Sequence, residues 1–222
     1  YKHLAITKNL GIEQYHSVDA SSTSVNNTNS TSTKVIGKNG IPINGSTTPR
    51  VVTHVKTPEH VKAIYMSSWV AGTPSIRSRL VKLIDTTELN AVVIDVKDNT
   101  GIITWDSRVR DMDEFIDELH AKNIYVIARI AAFQDPLYVS LHPEEAVHSK
   151  KNGGIWKDYK GEPWVDTGSK NMWRYLERLS KESYARGFDE INLDYIRFPT
   201  DGVLADMTFP ISGKNGTLVN KP

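Results

Sequence analysis

An apolar strand that carries a carboxylate near its C-terminal end constrains this chain more than any other stretch. It spans residues 188–199, Phe-Asp-Glu-Ile-Asn-Leu-Asp-Tyr-Ile-Arg-Phe-Pro. Side chains of an extended segment alternate with period 2, which puts Ile191, Leu193 and Tyr195 on one face and Asn192 and Asp194 on the other. An apolar outer face and a polar inner face suit a parallel barrel wrapped in helices. In such a barrel the C-terminal strand ends form the active site, so Asp194 reads as catalytic. Pro199 stops the strand by removing a ladder donor. A structural reading stands beside this one, in which Asp194 pairs with a buried arginine such as Arg129 or Arg197 and orders the barrel mouth.

From Val61 onward, strand and helix signals alternate. Val61 to Trp69 predicts a first strand, followed by a helix from Ser75 to Thr86 with Ile76, Leu80, Leu83 and Ile84 at helical spacing and Pro74 and Ser75 as start signals. Asn90 to Asp98 predicts a second strand, its first half continuously apolar as a strand buried on both faces requires. After a small excursion at Ile102 to Trp105 comes a helix from Met112 to Lys122, with Phe115, Ile116 and Leu119 inward, and then a third strand, Ile124 to Phe133. A long connection, Gln134 to Ser169, reads as functional. It leads to a helix from Lys170 to Arg186 that ends at Gly187, a suitable C-cap. This alternation implies a parallel α/β sheet. Four strong strands fall short of a complete eight-stranded barrel, which takes about 250 residues. The predicted fold is therefore the N-terminal half of a (β/α)8 TIM-type barrel over residues 58–222, with the remainder of the barrel expected downstream. A half barrel leaves two strand edges open, so the chain alone is expected to associate or to be marginally stable.

Residues 1–57 are poor in large apolar groups and dense in Ser, Thr and Asn, above all from Ser21 to Thr33, and predict a flexible linker with one short extended piece around Val51 to Val55. Sequons at Asn26, Asn29, Asn44 and Asn215 give weak support to an extracellular setting, since this composition produces them by itself. Lys and Arg number 27 against 26 Asp and Glu, so no global field favours nucleic acid. There is no cysteine, which excludes disulfides and thiolate metal sites. No run reaches the roughly 18 apolar residues of a membrane helix, and because the first residue is Tyr1 rather than Met, the N-terminus is expected to be processed or cut, so that any signal or anchor would lie upstream.

Each predicted strand ends in polar or aromatic groups. These are Ser67, Ser68 and Trp69 on the first, Asp95, Lys97 and Asp98 on the second, Arg129 on the third, and Asp194 with Arg197 on the fourth. Asp95 and Lys97 share parity, so both are expected inside the barrel, where they could form a structural ion pair. Arg129 must point into the same lumen, where it would lower the pKa of a nearby carboxylate. Trp69, Trp105, Trp156 and Trp164 fall at strand ends or in connections; tryptophans beside Asp, Asn, Arg and Lys suit sugar rings, with plugging of the barrel mouth as the plainer alternative. The histidines show no metal-ligand spacing, and no phosphate loop or nucleophile elbow occurs, so neither metal nor cofactor is expected.

Four ordered blocks, Val61 to Trp69, Ala91 to Gly101, Ala128 to Pro136 and Gly187 to Gly202, resemble those of a bacterial family of glycosyl hydrolase domains. The resemblance implies a (β/α)8 barrel related to the α-amylase-like glycosidases, found mainly in secreted or envelope proteins, and hence a polysaccharide or cell-envelope glycan as substrate. It matches Asp194 to the strand-four nucleophile of a retaining glycosidase, with the acid/base residue coming from a later strand. Trp69, Asp95, Lys97, Asp98, Arg129, Trp164, Asp166 and Arg197 would then bind or orient the substrate. A catalytically silent carbohydrate-binding barrel is the alternative.

Overall fold

The computed structural model describes residues 50–213. All four sequons and the Ser21 to Thr33 run lie outside that range, so the segment read as a linker is described only from Arg50 onward.

β1 (Ala63–Met66) is shorter than the sequence predicts. Ser67 ends it by capping a single helical turn, α1 (Ser68–Ala71), its hydroxyl accepting the Val70 N–H at 3.3 Å. α2 (Pro74–Asp85) starts with Pro74 in the first helical position, where its missing N–H has no partner to lose. β2 (Ala91–Lys97) is buried along almost its whole length. α3 (Met112–Ala121) buries Met112, Phe115, Ile116 and Leu119, one stripe at three- and four-residue spacing. β3 (Tyr125–Ala131) follows, and then the long connection, which contains α4 (Pro136–Leu141) and the two-residue β4 (His148–Ser149). α5 (Lys170–Arg186) is capped by the Ser169 hydroxyl at one end and by Gly187 at the other; a φ of 109° makes glycine the natural residue there. β5 (Glu190–Asp194) completes the main sheet, and β6 (Met207–Thr208) folds back to pair antiparallel with β4.

The four long strands are parallel and ordered β1-β2-β3-β5, each joined to the next by helix on one side. This is the half of a TIM-type barrel that the alternation predicts. Val92, Ile94, Val126, Ala128 and Ile130 form the outer face and pack with Phe115, Ile116, Leu119, Leu176 and Leu179 of the helices. Wholly buried side chains such as Phe115 and Ile116 contribute about 1.5–3 kcal/mol each. On the inner face, Ala91, Tyr125 and Ile127 gather with Val93 and Val55 at the lower, N-terminal end of the sheet.

Residues 50–57 form no strand, yet they are fastened across that lower end. Arg50 makes two bonds to the Asp117 carboxylate, at 2.6 and 3.0 Å, and donates to the carbonyls of Asp113 and Arg186. The buried Asp189 carboxylate accepts the backbone N–H groups of Val55 and Val126 at 2.8 Å each and faces His120 at 3.0 Å. His54 stacks flat on Tyr184, with ring centroids 4.0 Å apart. Arg50→Ala removes a charged donor from two carbonyls and one carboxylate, so it should cost about 2 kcal/mol, read as a lower denaturation midpoint at unchanged slope.

Candidate active site

Parallel strands in this order bring residues of matching register to one level. Asp95 lies opposite Arg129, and Arg129 opposite Asn192, with all three on the inner face. Arg129 then reaches up one step to β5: its Nε and Nη2 donate to Asp194 Oδ2 at 2.9 and 2.6 Å, and its Nη1 donates to Asp95 Oδ1 at 2.6 Å. Tyr65 of β1 donates its hydroxyl to the other Asp95 oxygen. The result is a rising chain across four strands, Tyr65 to Asp95 to Arg129 to Asp194. The Asp95 side chain is only 3% exposed, whereas that of Asp194 is 45% exposed. Of the two carboxylates, Asp194 is therefore the one that a solute can reach.

The backbone adds to this arrangement. Tyr195 takes a left-handed φ of 53°, a conformation that costs a non-glycine residue roughly 1–2 kcal/mol. The kink turns the chain off the strand directly after Asp194 and aims the Tyr195 N–H at Asp194 Oδ1, 2.7 Å away. Burial raises the Asp194 pKa, but the Tyr195 N–H, the Arg129 guanidinium and the charge of Arg197 together hold it below the usual carboxylate range. Arg129 is held above its ordinary value: burial opposes its charge, and the bonds to Asp95 and Asp194 outweigh burial. Burial, reinforced by the adjacent Asp95, pushes the Tyr65 phenol up, so it remains a donor at neutral pH. The structure thus presents an ionised, half-exposed carboxylate whose lone pairs are oriented by fixed donors.

The other predicted residues separate into two groups. Arg197 stays at the site: its guanidinium carbon lies 5.1 Å from the Trp164 ring centre and 5.8 Å from that of Tyr195. Lys97 does not join Asp95. The register shifts between Asp95 and Lys97, which places Lys97 opposite Ile130, and its fully buried ammonium pairs with Asp135 at 2.7 Å. Asp98 turns back to accept from Ser68 Oγ and Thr100. Trp69 is 67% exposed and has Arg108 over its ring rather than any member of the Asp194 network. Trp164 is buried, its indole N–H donating to Asp158 at 3.1 Å, so the expected open sugar platform is a covered wall. Asp166 is wholly buried and accepts the N–H groups of Gly168, Ile211 and Ser212, which makes it a loop staple and not a ligand group.

Tyr65 and Tyr195 were not anticipated. Tyr65 carried a signal, since it shares parity with the inward face of a strand whose outward neighbours are Ile64 and Met66. The left-handed turn at Tyr195 has no such signature.

Residues 63–220 match a family described as "putative glycosyl hydrolase domain". Among solved structures, a hypothetical protein from Ruminiclostridium thermocellum ATCC 27405 is 37% identical with a TM-score of 0.60, over 68% of this chain and 83% of that one. An alpha-galactosidase from Lactobacillus brevis superposes more loosely, at 13% identity and a TM-score of 0.46, over 60% of this chain and 20% of its own. For the maltogenic alpha-amylase AmyB from Thermotoga neapolitana the figures are 16% and 0.43, over 59% and 38%. The chain thus spans a fifth of one glycosidase and under two fifths of the other. No curated protein matches it. Because the family match begins at the first residue of β1 and runs through every strand of the sheet, this chain belongs to the "putative glycosyl hydrolase domain" family.

Proposed function

We propose that the domain belongs to a retaining glycoside hydrolase that cleaves a polysaccharide or cell-envelope glycan, with Asp194 as the nucleophile. The observation that carries this reading is the contrast within one network: Asp95 is buried and spent on Tyr65 and Arg129, while Asp194 remains half exposed and ionised at a strand end. A carboxylate in that state attacks the anomeric carbon as the glycosidic bond breaks, and a second carboxyl protonates the leaving oxygen. That acid would come from a strand that closes the barrel beyond β5, whose edge the described sheet leaves open. A polymeric substrate agrees with an extracellular or envelope setting.

The test is hydrolysis of a glycan panel by the full-length protein, with the anomeric form of the first product read by NMR. Retention supports a covalent intermediate, and inversion would assign Asp194 to activating a water instead. A binding barrel without turnover is favoured by one observation, that Arg129 holds both carboxylates of the network at once. In that case no panel member would be cleaved although some would bind.

The lowered pKa of Asp194 fixes a pH limb. Its ionised form persists below the ordinary aspartate value of about 3.9, so kcat/KM should not fall through Asp194 until the pH is under about 4. Arg129→Gln removes the cation that favours the ionised form and should move this limb to higher pH, checked by pH–rate profiles of the two proteins.

A further inference from the structure

A short hairpin, residues 156–164, stands at the same end of the sheet as Asp194: Trp164 pairs with Gln134, just past β3, and meets the Tyr195 ring edge-on at 5.9 Å. Its base is fixed. Lys157 pairs with Pro163 across the hairpin, and the Asp158 N–H donates to the Glu162 carbonyl at 3.0 Å. The buried Asp158 carboxylate takes the N–H groups of Lys160 and Glu162 at 2.9 Å each, the Trp164 indole at 3.1 Å and the Gln134 amide at 3.2 Å. Trp156 is buried and donates its indole N–H to the Val203 carbonyl. Folding of the tip consumes Asp158, so the tip turns its other side chains outward: Lys157, Tyr159 and Lys160 are exposed, Tyr159 to 75%. Glu162, half-buried, is the hairpin's other carboxylate.

The hairpin is also continuous with the site. Arg197 lies over Trp164 and Tyr195, and among the described residues its guanidinium bonds only to the Phe198 carbonyl at 3.1 Å and Thr200 Oγ1 at 2.9 Å. Among the described residues, Lys157, Lys160 and Arg197 have no carboxylate partner within 4.0 Å. The hairpin thus exposes an aromatic ring and two lysines within residues 157–160, and its base at Trp164 carries the planar guanidinium of Arg197; this combination fits one class of ligand. A ring face of Tyr159 covers the apolar C–H face of a sugar, the lysines meet negative charge in any direction, and an arginine fork meets a carboxylate or phosphate with two bonds.

We propose that hairpin 156–164 and Arg197 form a binding platform for an acidic polysaccharide, one whose sugar units carry carboxylate or phosphate groups, running past Asp194. The proposal rests on the glycan-hydrolase reading and adds a substrate class to it.

The experiment uses the full-length protein as Asp194→Asn, so that binding is read without turnover. Its affinity is measured for polygalacturonate, for a polyol-phosphate polymer, for neutral dextran and for single-stranded DNA, at low and at moderate salt. One or both acidic polymers should bind, more weakly as salt rises, and the one that binds identifies the source of the acid group; dextran should not. Each exposed ion pair contributes up to about fivefold, so Lys157→Gln with Lys160→Gln should weaken binding about tenfold. Tyr159→Ala should weaken it by up to about tenfold, with an unchanged melting temperature, and Tyr159→Phe should restore it. Dextran binding as tightly as the acidic polymers would overturn the proposal. So would acid-polymer affinity indifferent to the lysine pair, or DNA binding as tightly as the glycans with no response to Tyr159→Ala. The two readings fail separately: acidic polymers that bind but are never cleaved by the unsubstituted protein count against the hydrolase alone, and cleavage of neutral glycans with no acidic preference counts against the platform alone.

Discussion

Asp194→Asn in the full-length protein is expected to lower glycan hydrolysis by at least about a thousandfold while leaving the fold in place, because the amide keeps the shape of the side chain and loses the charge that, in the proposed mechanism, attacks the anomeric carbon. The exposure of the group settles what happens to stability. With its side chain 45% exposed, Asp194 forms an ion pair screened by water, so losing its charge should cost no more than about 1 kcal/mol. Asp95 is the contrast. At 3% exposure it holds both Tyr65 and Arg129, and Asp95→Ala leaves a part-buried guanidinium with only one partner, a loss of about 3–5 kcal/mol. If Asp194 were only a prop for Arg129, the two substitutions would lower the melting temperature alike and affect turnover only through lost protein. An Asp194→Asn protein that cleaves its glycan at the wild-type rate would end the nucleophile assignment.

The largest stability effect is expected at Asp135. Its carboxylate holds the Lys97 ammonium at 2.7 Å, with side-chain exposures of 2% and 0%, and also caps α4 through the Tyr138 N–H. Asp135→Ala strands a buried cation and should cost about 3–5 kcal/mol, with about 1 kcal/mol more from the lost cap. Lys97→Met together with Asp135→Asn should recover most of that loss, since a buried ion pair is a weak stabiliser compared with apolar packing. The pH dependence has a definite sign. Burial lowers the Lys97 pKa although Asp135 opposes it, so the unfolded chain binds the proton more tightly than the folded one. Stability owed to this group therefore rises with pH, from the lowered folded value up to the ordinary lysine value of about 10.4. Asp135→Asn removes the opposing charge, and its stability in urea should recover further between pH 7 and 10 than that of the wild type.

Local rules written in residue type proved easy to read. Gly187 ends α5, Pro74 opens α2, and the apolar stripe of α3 buries the residues its spacing indicates, whereas in α5 Leu176 and Leu179 are buried but Trp173 and Tyr184, which the spacing puts on or near the same face, are exposed. The inward parity of Asp95, Arg129 and Asp194 followed from period-2 alternation, and the strand order then brought them together. What could not be read depends on single-residue departures from those periods. The shift after Asp95 takes Lys97 away from it, and no residue there marks a bulge. Ser67 sits within a predicted strand, yet its hydroxyl stops β1 by capping α1, which moves Trp69 onto a helical turn and out to solvent. Trp164 and Asp166 belong to the long connection, where burial depends on the return of residues 201–212 over it, a contact between segments about 45 positions apart. Composition alone does not specify such a contact.

Fastening the lower end of the sheet through Arg50 and Asp189 has an evolutionary consequence. These bonds join residues 50–55 to α3, β3 and the C-terminal end of α5, far along the strands from the loops that carry Arg197 and hairpin 156–164. Loops at the opposite end can therefore change length and chemistry without loosening the clasp, so selection can explore new ligands on an inherited chassis. Exchanging hairpin 156–164 for the corresponding segment of the Ruminiclostridium thermocellum protein would probe how far that freedom extends.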